Sequence, residues 1–147
     1  MKAPTLDLPA DGGGRVSLQA LNGPAVVYFY PKDDTAGCTR EAQDFTALAP
    51  EFAALGVTVI GVSKDTVAKH ERFKAKHGLD VVLASDEDGA ACEAWGVWVE
   101  KTLYGRKYMG IERATFLGDA DGLIRRAWRK VSVKGHAQEV LEAARAL

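Results

Sequence analysis

At 147 residues, 47% of them hydrophobic, the chain has the size and apolar content of one domain with a sizeable core. Its 19 basic and 20 acidic residues leave a net charge of -1 spread along the sequence, which excludes the basic stripe of a nucleic-acid binder and argues against an acidic membrane as partner. Residues Met1 to Asp7 lack the apolar region of a secretory signal and no later run is long enough to span a bilayer, so a cytoplasmic location is expected.

Taken in chain order, Leu6-Asp7-Leu8 and Val16-Ser17-Leu18 read as two short strands turned by Gly12-Gly13-Gly14. Ala25 to Tyr30 is continuously apolar, rich in β-branched and aromatic residues, and reads as a strand buried on both faces. Pro31 ends it, having no N–H for the ladder, and the polar stretch Lys32 to Gly37 follows as a loop. From Cys38, apolar residues at Ala42, Phe45, Leu48, Ala49, Phe52 and Leu55 mark one face of a helix that Pro50 should kink or split and Gly56 should stop.

Val57 to Val62 is a second buried strand, followed by a helix over Thr66 to His77 with Ser63 or Asp65 as its cap. Val81-Val82-Leu83 gives a third strand, and Ser85 to Asp88 supplies caps for a short helix carrying Cys92 and Trp95. Between Gly96 and Gly110 the periodicity is lost, which reads as a long surface loop. Ala114 to Leu117 and Leu123 to Trp128 flank the turn-forming Asp119-Ala120-Asp121-Gly122 as a β-hairpin, and a last helix runs from Lys134 to Ala146. This order predicts an α/β fold: a thioredoxin-like three-layer sandwich around a central mixed β-sheet, formed as a single domain over residues 1–147.

Cys38 and Cys92 are the only cysteines, too few for a disulfide framework and without the spacing of a zinc site. His70, His77 and His136 match no familiar ligand spacing either, so no metal and no cofactor is expected. A cysteine in the first turn of a helix faces unpaired N–H groups and the positive end of the helix dipole, which favour the nucleophilic thiolate. A small buried residue anchoring the helix start is the bland alternative for Cys38.

Pro31, Thr35 and Cys38 form P-x-x-x-T-x-x-C between a strand and a helix, and this resembles the active-site signature of the peroxiredoxins. The resemblance extends through Val27 to Lys32, Gly37-Cys38-Thr39, Ser85 to Asp88, Gly96-Val97-Trp98 and Asp119 to Gly122, and is greatest to the PrxQ group, the bacterioferritin comigratory proteins. It implies a peroxidase in which Cys38 attacks hydrogen peroxide or an organic hydroperoxide and becomes a sulfenic acid. Thr35 would accept a hydrogen bond from the peroxide or donate one to sulfur, and Pro31 would pack over the sulfur. The resemblance also places the family's active-site arginine at Arg113, in Gly110 to Phe116, where a guanidinium would stabilise the thiolate and polarise the peroxide.

Many PrxQ members carry a resolving cysteine five residues after the first, but here that position is Gln43. Cys92 lies on the apolar side of a short helix and reads as a core cysteine; a resolving role would require its Cα within about 7 Å of that of Cys38. A one-cysteine cycle is therefore expected, with thioredoxin, glutaredoxin or glutathione as the external reductant and a monomer as the working unit. Trp95, Trp98, Tyr104 and Tyr108 are candidates for a collar at the peroxide mouth or a docking surface, with ordinary packing as the stronger reading. Glu41 is given no chemical role. A thiol-disulfide oxidoreductase would need a C-x-x-C pair that is absent, and a non-catalytic redox sensor would not require Thr35 and Arg113 around Cys38.

Overall fold

In a computed structural model describing residues 1–147, the glycine-turned segments pair as expected: β1 (Asp7–Pro9) lies antiparallel to β2 (Arg15–Ser17). The apolar run forms β3 (Ala25–Phe29), with all five residues buried. After the polar loop, α1 (Ala36–Ala47) ends before Pro50, and α2 (Ala49–Ala54) takes that proline into its first turn, so the proline splits the helix. Next come β4 (Thr58–Ser63) and α3 (Val67–His77). The α3 cap is Thr66, whose hydroxyl accepts from the Lys69 N–H; Ser63 and Asp65, the expected caps, hydrogen-bond each other instead.

β5 (Val82–Ser85) leads to α4 (Ala90–Ala94), where the Asp86 carboxylate accepts from the backbone N–H groups of Ala91 and Cys92. Residues 96–110 are not the expected loop. They contain β6 (Trp98–Leu103) and β7 (Arg106–Ile111), an antiparallel hairpin closed by Tyr104 and Gly105, both with positive φ, 51° and 76°. Two left-handed residues match the twist of the flanking strands, so a two-residue turn suffices. β8 (Ala114–Gly118) and β9 (Ile124–Trp128) form the expected second hairpin, and α5 (His136–Arg145) closes the chain.

The central sheet has the order β5-β4-β3-β8-β9, parallel across β5, β4 and β3 and antiparallel across β8 and β9. It is the mixed sheet of a thioredoxin-like α/β sandwich. Because side chains alternate along an extended chain, Val26 and Tyr28 of β3 and Tyr30 just after it face one side of the sheet, and Val27 and Phe29 the other. The first group packs with Cys38, Ala42 and Phe45 of α1, Phe52 of α2 and Val140 and Leu141 of α5. The second packs with Cys92 of α4, Trp95, Val97 and Ile111. The sheet therefore separates the two cysteines.

Candidate active site

The site forms where β3 ends. Phe29 pairs with Val62 on one side and with Ala114 on the other, which places Arg113, one residue before β8, beside the exit of β3. The Arg113 carbonyl accepts from the Val131 N–H at 2.9 Å, fixing its backbone. Thr35 precedes α1 with extended φ and ψ; its hydroxyl donates to the Lys32 carbonyl at 2.9 Å, and its own carbonyl accepts from the Thr39 N–H at 2.8 Å. Cys38 is the third residue of α1, within the turn whose N–H groups have no helical partner, and it is buried and unpaired.

Arg113 Nη2 donates to Cys38 Sγ at 3.2 Å, and Nη1 donates to Glu41 Oε1 at 2.6 Å. Gly37 permits this approach, since a Cβ there would lie 3.2 Å from Nη2. Burial works against the Arg113 charge, but the charges of Glu41 and Cys38 outweigh it, so the guanidinium is held more firmly protonated than usual. Glu41 is itself only 1% exposed, and burial pushes its carboxyl up to about 7 although Arg113 pulls it back down. Its other oxygen, Oε2, is buried with no hydrogen-bond partner. A cysteine sulfur on a helix N-terminus with a fixed guanidinium beside it is built for attack as a thiolate, with donors ready for charge that develops on a departing oxygen.

The sequence accords with this chemistry. The AhpC/TSA family model matches residues 1–127. The chain belongs to the AhpC/TSA family. It is 50% identical over 141 residues to a putative peroxiredoxin Bcp of Coxiella burnetii, an alignment that covers 95% of this chain and 93% of that one. It is 49% identical to peroxiredoxin Bcp of Xanthomonas campestris, covering 99% and 93% of the two chains. Among solved structures, the Xanthomonas campestris bacterioferritin comigratory protein, studied for its alkyl peroxide reduction, superimposes with a TM-score of 0.91 at 48% identity over 96% of this chain and 90% of that one. A Cys-to-Ser mutant of Xylella fastidiosa PrxQ gives a TM-score of 0.92 at 41% identity over 99% and 96%. This is a peroxiredoxin of the Bcp/PrxQ kind, an enzyme that reduces peroxides with electrons from a thiol.

In this peroxiredoxin the residues singled out from sequence fall into two groups. Arg113 meets Cys38 at the end of β3, and Thr35 caps the start of the same helix three residues earlier with its hydroxyl on the Lys32 carbonyl. Pro31, at the start of the same loop, is exposed. Glu41 is the participant that sequence reasoning left without a role. Its carboxylate turns to Arg113, 72 residues away.

Of the aromatic residues, Trp95 is core, edge-on to Phe116 at 5.1 Å and on the Cys92 side of the sheet. Trp98 carries Lys64 Nζ 4.3 Å from its ring centre, while Tyr104 and Tyr108 stand exposed on the hairpin. The same hairpin holds half-buried Lys101, whose ammonium is lowered by burial and by repulsion from Arg113. No helix is long and apolar enough to cross a membrane.

Proposed function

We propose that Cys38 is the peroxide-attacking residue, served by Thr35, Arg113 and Pro31, and that it runs a one-cysteine cycle completed by an external thiol. The observation that carries this reading is the 3.2 Å contact from Arg113 Nη2 to Cys38 Sγ at the start of α1. The Cys38 thiolate attacks the terminal oxygen of a hydroperoxide in line with the O–O bond. The new S–O bond forms as O–O breaks, leaving a Cys38 sulfenic acid and an alkoxide or hydroxide that takes a proton to become alcohol or water.

Each neighbour has a task in that step. The Thr35 hydroxyl gives its proton to the Lys32 carbonyl, so its lone pairs are free to accept a hydrogen bond from the peroxide O–H. Arg113 stabilises the attacking sulfur and the negative charge that moves onto the leaving oxygen. Glu41 holds Arg113 in place through its second nitrogen. Pro31 caps the loop without offering an N–H that would compete for the peroxide.

The one-cysteine cycle is supported by Gln43 in α1 and by the opposite faces on which Cys38 and Cys92 pack. An external thiol displaces water from the sulfenic acid to form a mixed disulfide, and a second thiol releases reduced Cys38. Thioredoxin, glutaredoxin and glutathione all supply that chemistry. Since Cys38, Thr35 and Arg113 come from one chain, a monomer suffices; two unpaired cysteines suit the reducing cytoplasm. The test is stopped-flow oxidation of reduced protein by hydrogen peroxide and by cumene hydroperoxide, followed by turnover with each reductant in a Cys92→Ser variant. Fast oxidation and sustained turnover are expected; turnover lost in Cys92→Ser would refute the one-cysteine cycle.

A further inference from the structure

We propose that Asp33 and His70 are positioning residues for the peroxide reaction, clamping the loop that presents Thr35 to the peroxide beside Cys38. The inference rests on the reading of Thr35 given above. In the stretch from Pro31 to Gly37, Asp33 is the one buried residue, 3% exposed, while Pro31, Lys32, Asp34, Thr35, Ala36 and Gly37 are all exposed. A loop with so few packed side chains owes its shape to its polar anchor.

That anchor is fully bonded. Asp33 Oδ1 accepts from the Tyr30 hydroxyl at 2.5 Å, and Oδ2 lies 2.6 Å from His70 Nδ1. The Asp33 N–H donates to Asp65 at 2.8 Å, and Asp65 is braced by the Ser63 hydroxyl at 2.7 Å and Lys69 at 2.9 Å. His70, with no exposed surface, turns its other nitrogen to the Ala84 carbonyl at 3.0 Å. A carbonyl can only accept, so Nε2–H donates to it, while Nδ1 on the other side of the ring contacts the Asp33 carboxyl. Asp33, Asp65 and His70 bring their donor atoms within 4.8 Å of one another, and each of these atoms is already taken by a protein partner. The cluster is built as a clamp from α3 and β5 onto the active-site loop.

The clamp reaches the chemistry in two short steps. Asp33 directly follows Lys32, whose carbonyl takes the Thr35 hydroxyl proton. A shift of Asp33 therefore moves the carbonyl that orients Thr35 and turns the hydroxyl away from the peroxide. Displacements of about 1 Å in a positioning group cost on the order of 100-fold in rate. Next to it, Asp34 holds a left-handed backbone, φ 62°, and accepts from Lys76 at 2.7 Å and His77 at 2.8 Å, a second clasp between loop and α3.

The experiment compares two reactions of Cys38 in His70→Gln, His70→Asn and Thr35→Val. One is oxidation by hydrogen peroxide, which uses Thr35; the other is alkylation by iodoacetamide, which does not. Gln can replace the Nε2–H donor and Asn the Nδ1–H donor, so His70→Gln should slow peroxide oxidation about 10- to 100-fold with alkylation unchanged, and His70→Asn should recover most of the rate. A wild-type peroxide rate in His70→Gln, or an equal fall in both reactions, overturns the clamp. Thr35→Val at full speed overturns the Thr35 reading and the clamp with it, whereas Thr35→Val slow beside an unaffected His70→Gln removes the clamp alone.

Discussion

Cys38 and Cys92 are each the third residue of a helix, each buried and each unpaired, yet their sulfurs meet opposite charges. At Cys38 a guanidinium donates to Sγ at 3.2 Å. At Cys92 the carboxylate of Asp86 accepts the Cys92 N–H at 2.8 Å, and burial together with that carboxylate pushes the thiol well above its ordinary range. Burial and a place in the first helical turn are common to both. What differs is the ion that the chain brings to the sulfur: Arg113 from the residue before β8, against Asp86 from the loop before α4. Reactivity here is a property of the charge partner more than of the helix.

The largest test of that contrast is the removal of each sulfur in turn. Cys38→Ser should lower peroxide turnover to background, while Cys92→Ser should keep it near the wild-type rate in a coupled thiol-reductant assay. Next comes the partner itself: Arg113→Met should slow oxidation of Cys38 by about 100- to 1,000-fold, the usual cost of losing one donor to developing charge, measured by stopped flow. The converse change, Asp86→Asn, removes the anion beside Cys92 and should make that thiol easier to alkylate at mildly alkaline pH, read by peptide mass spectrometry. It should leave peroxide oxidation of Cys38 unaltered.

A smaller effect concerns Glu41. Its carboxyl is raised from an ordinary 4.5 to about 7, so the folded protein keeps a proton there that the unfolded chain releases between those values. The stability contributed by protonated Glu41 is complete below pH 4.5 and is lost as the pH rises through 7. Wild type should therefore lose about 2–3 kcal/mol relative to Glu41→Gln across that window, measured by urea unfolding at a series of pH values. The smallest change is Gly37→Ala, which places a methyl 3.2 Å from Arg113 Nη2 and should lower the peroxide rate only a few-fold, about 1 kcal/mol, as the guanidinium shifts.

Much of the fold was legible because its main elements carry strong patterns. The β3 run is apolar at every position because the strand is flanked on both sides, and Pro50 divided α1 from α2 as its geometry requires. The β6–β7 hairpin was not legible: it is largely exposed on both faces, so no alternation marks its strands, and its turn uses Tyr104 where Asn or Asp would have signalled a left-handed residue. In the site, Thr35 and Cys38 lie close in sequence and Arg113 was found through its family motif. Glu41 was missed because its partner is 72 residues away, and a carboxylate next to a thiolate reads as a hindrance until the arginine between them is seen. The buried role of Asp33 was hidden in the same way, since a polar loop gives no sign that one of its aspartates turns inward to His70.

The central claim is that Cys38 alone meets the peroxide and that Cys92 stays out of the cycle. Reduced protein is mixed with one equivalent of hydrogen peroxide, trapped with a sulfenic-acid reagent, and mapped by intact and peptide mass spectrometry. The account predicts one trapped sulfenic acid, on Cys38, with Cys92 still a thiol. A Cys38–Cys92 disulfide within one chain, or no rapid oxidation of Cys38, would contradict it.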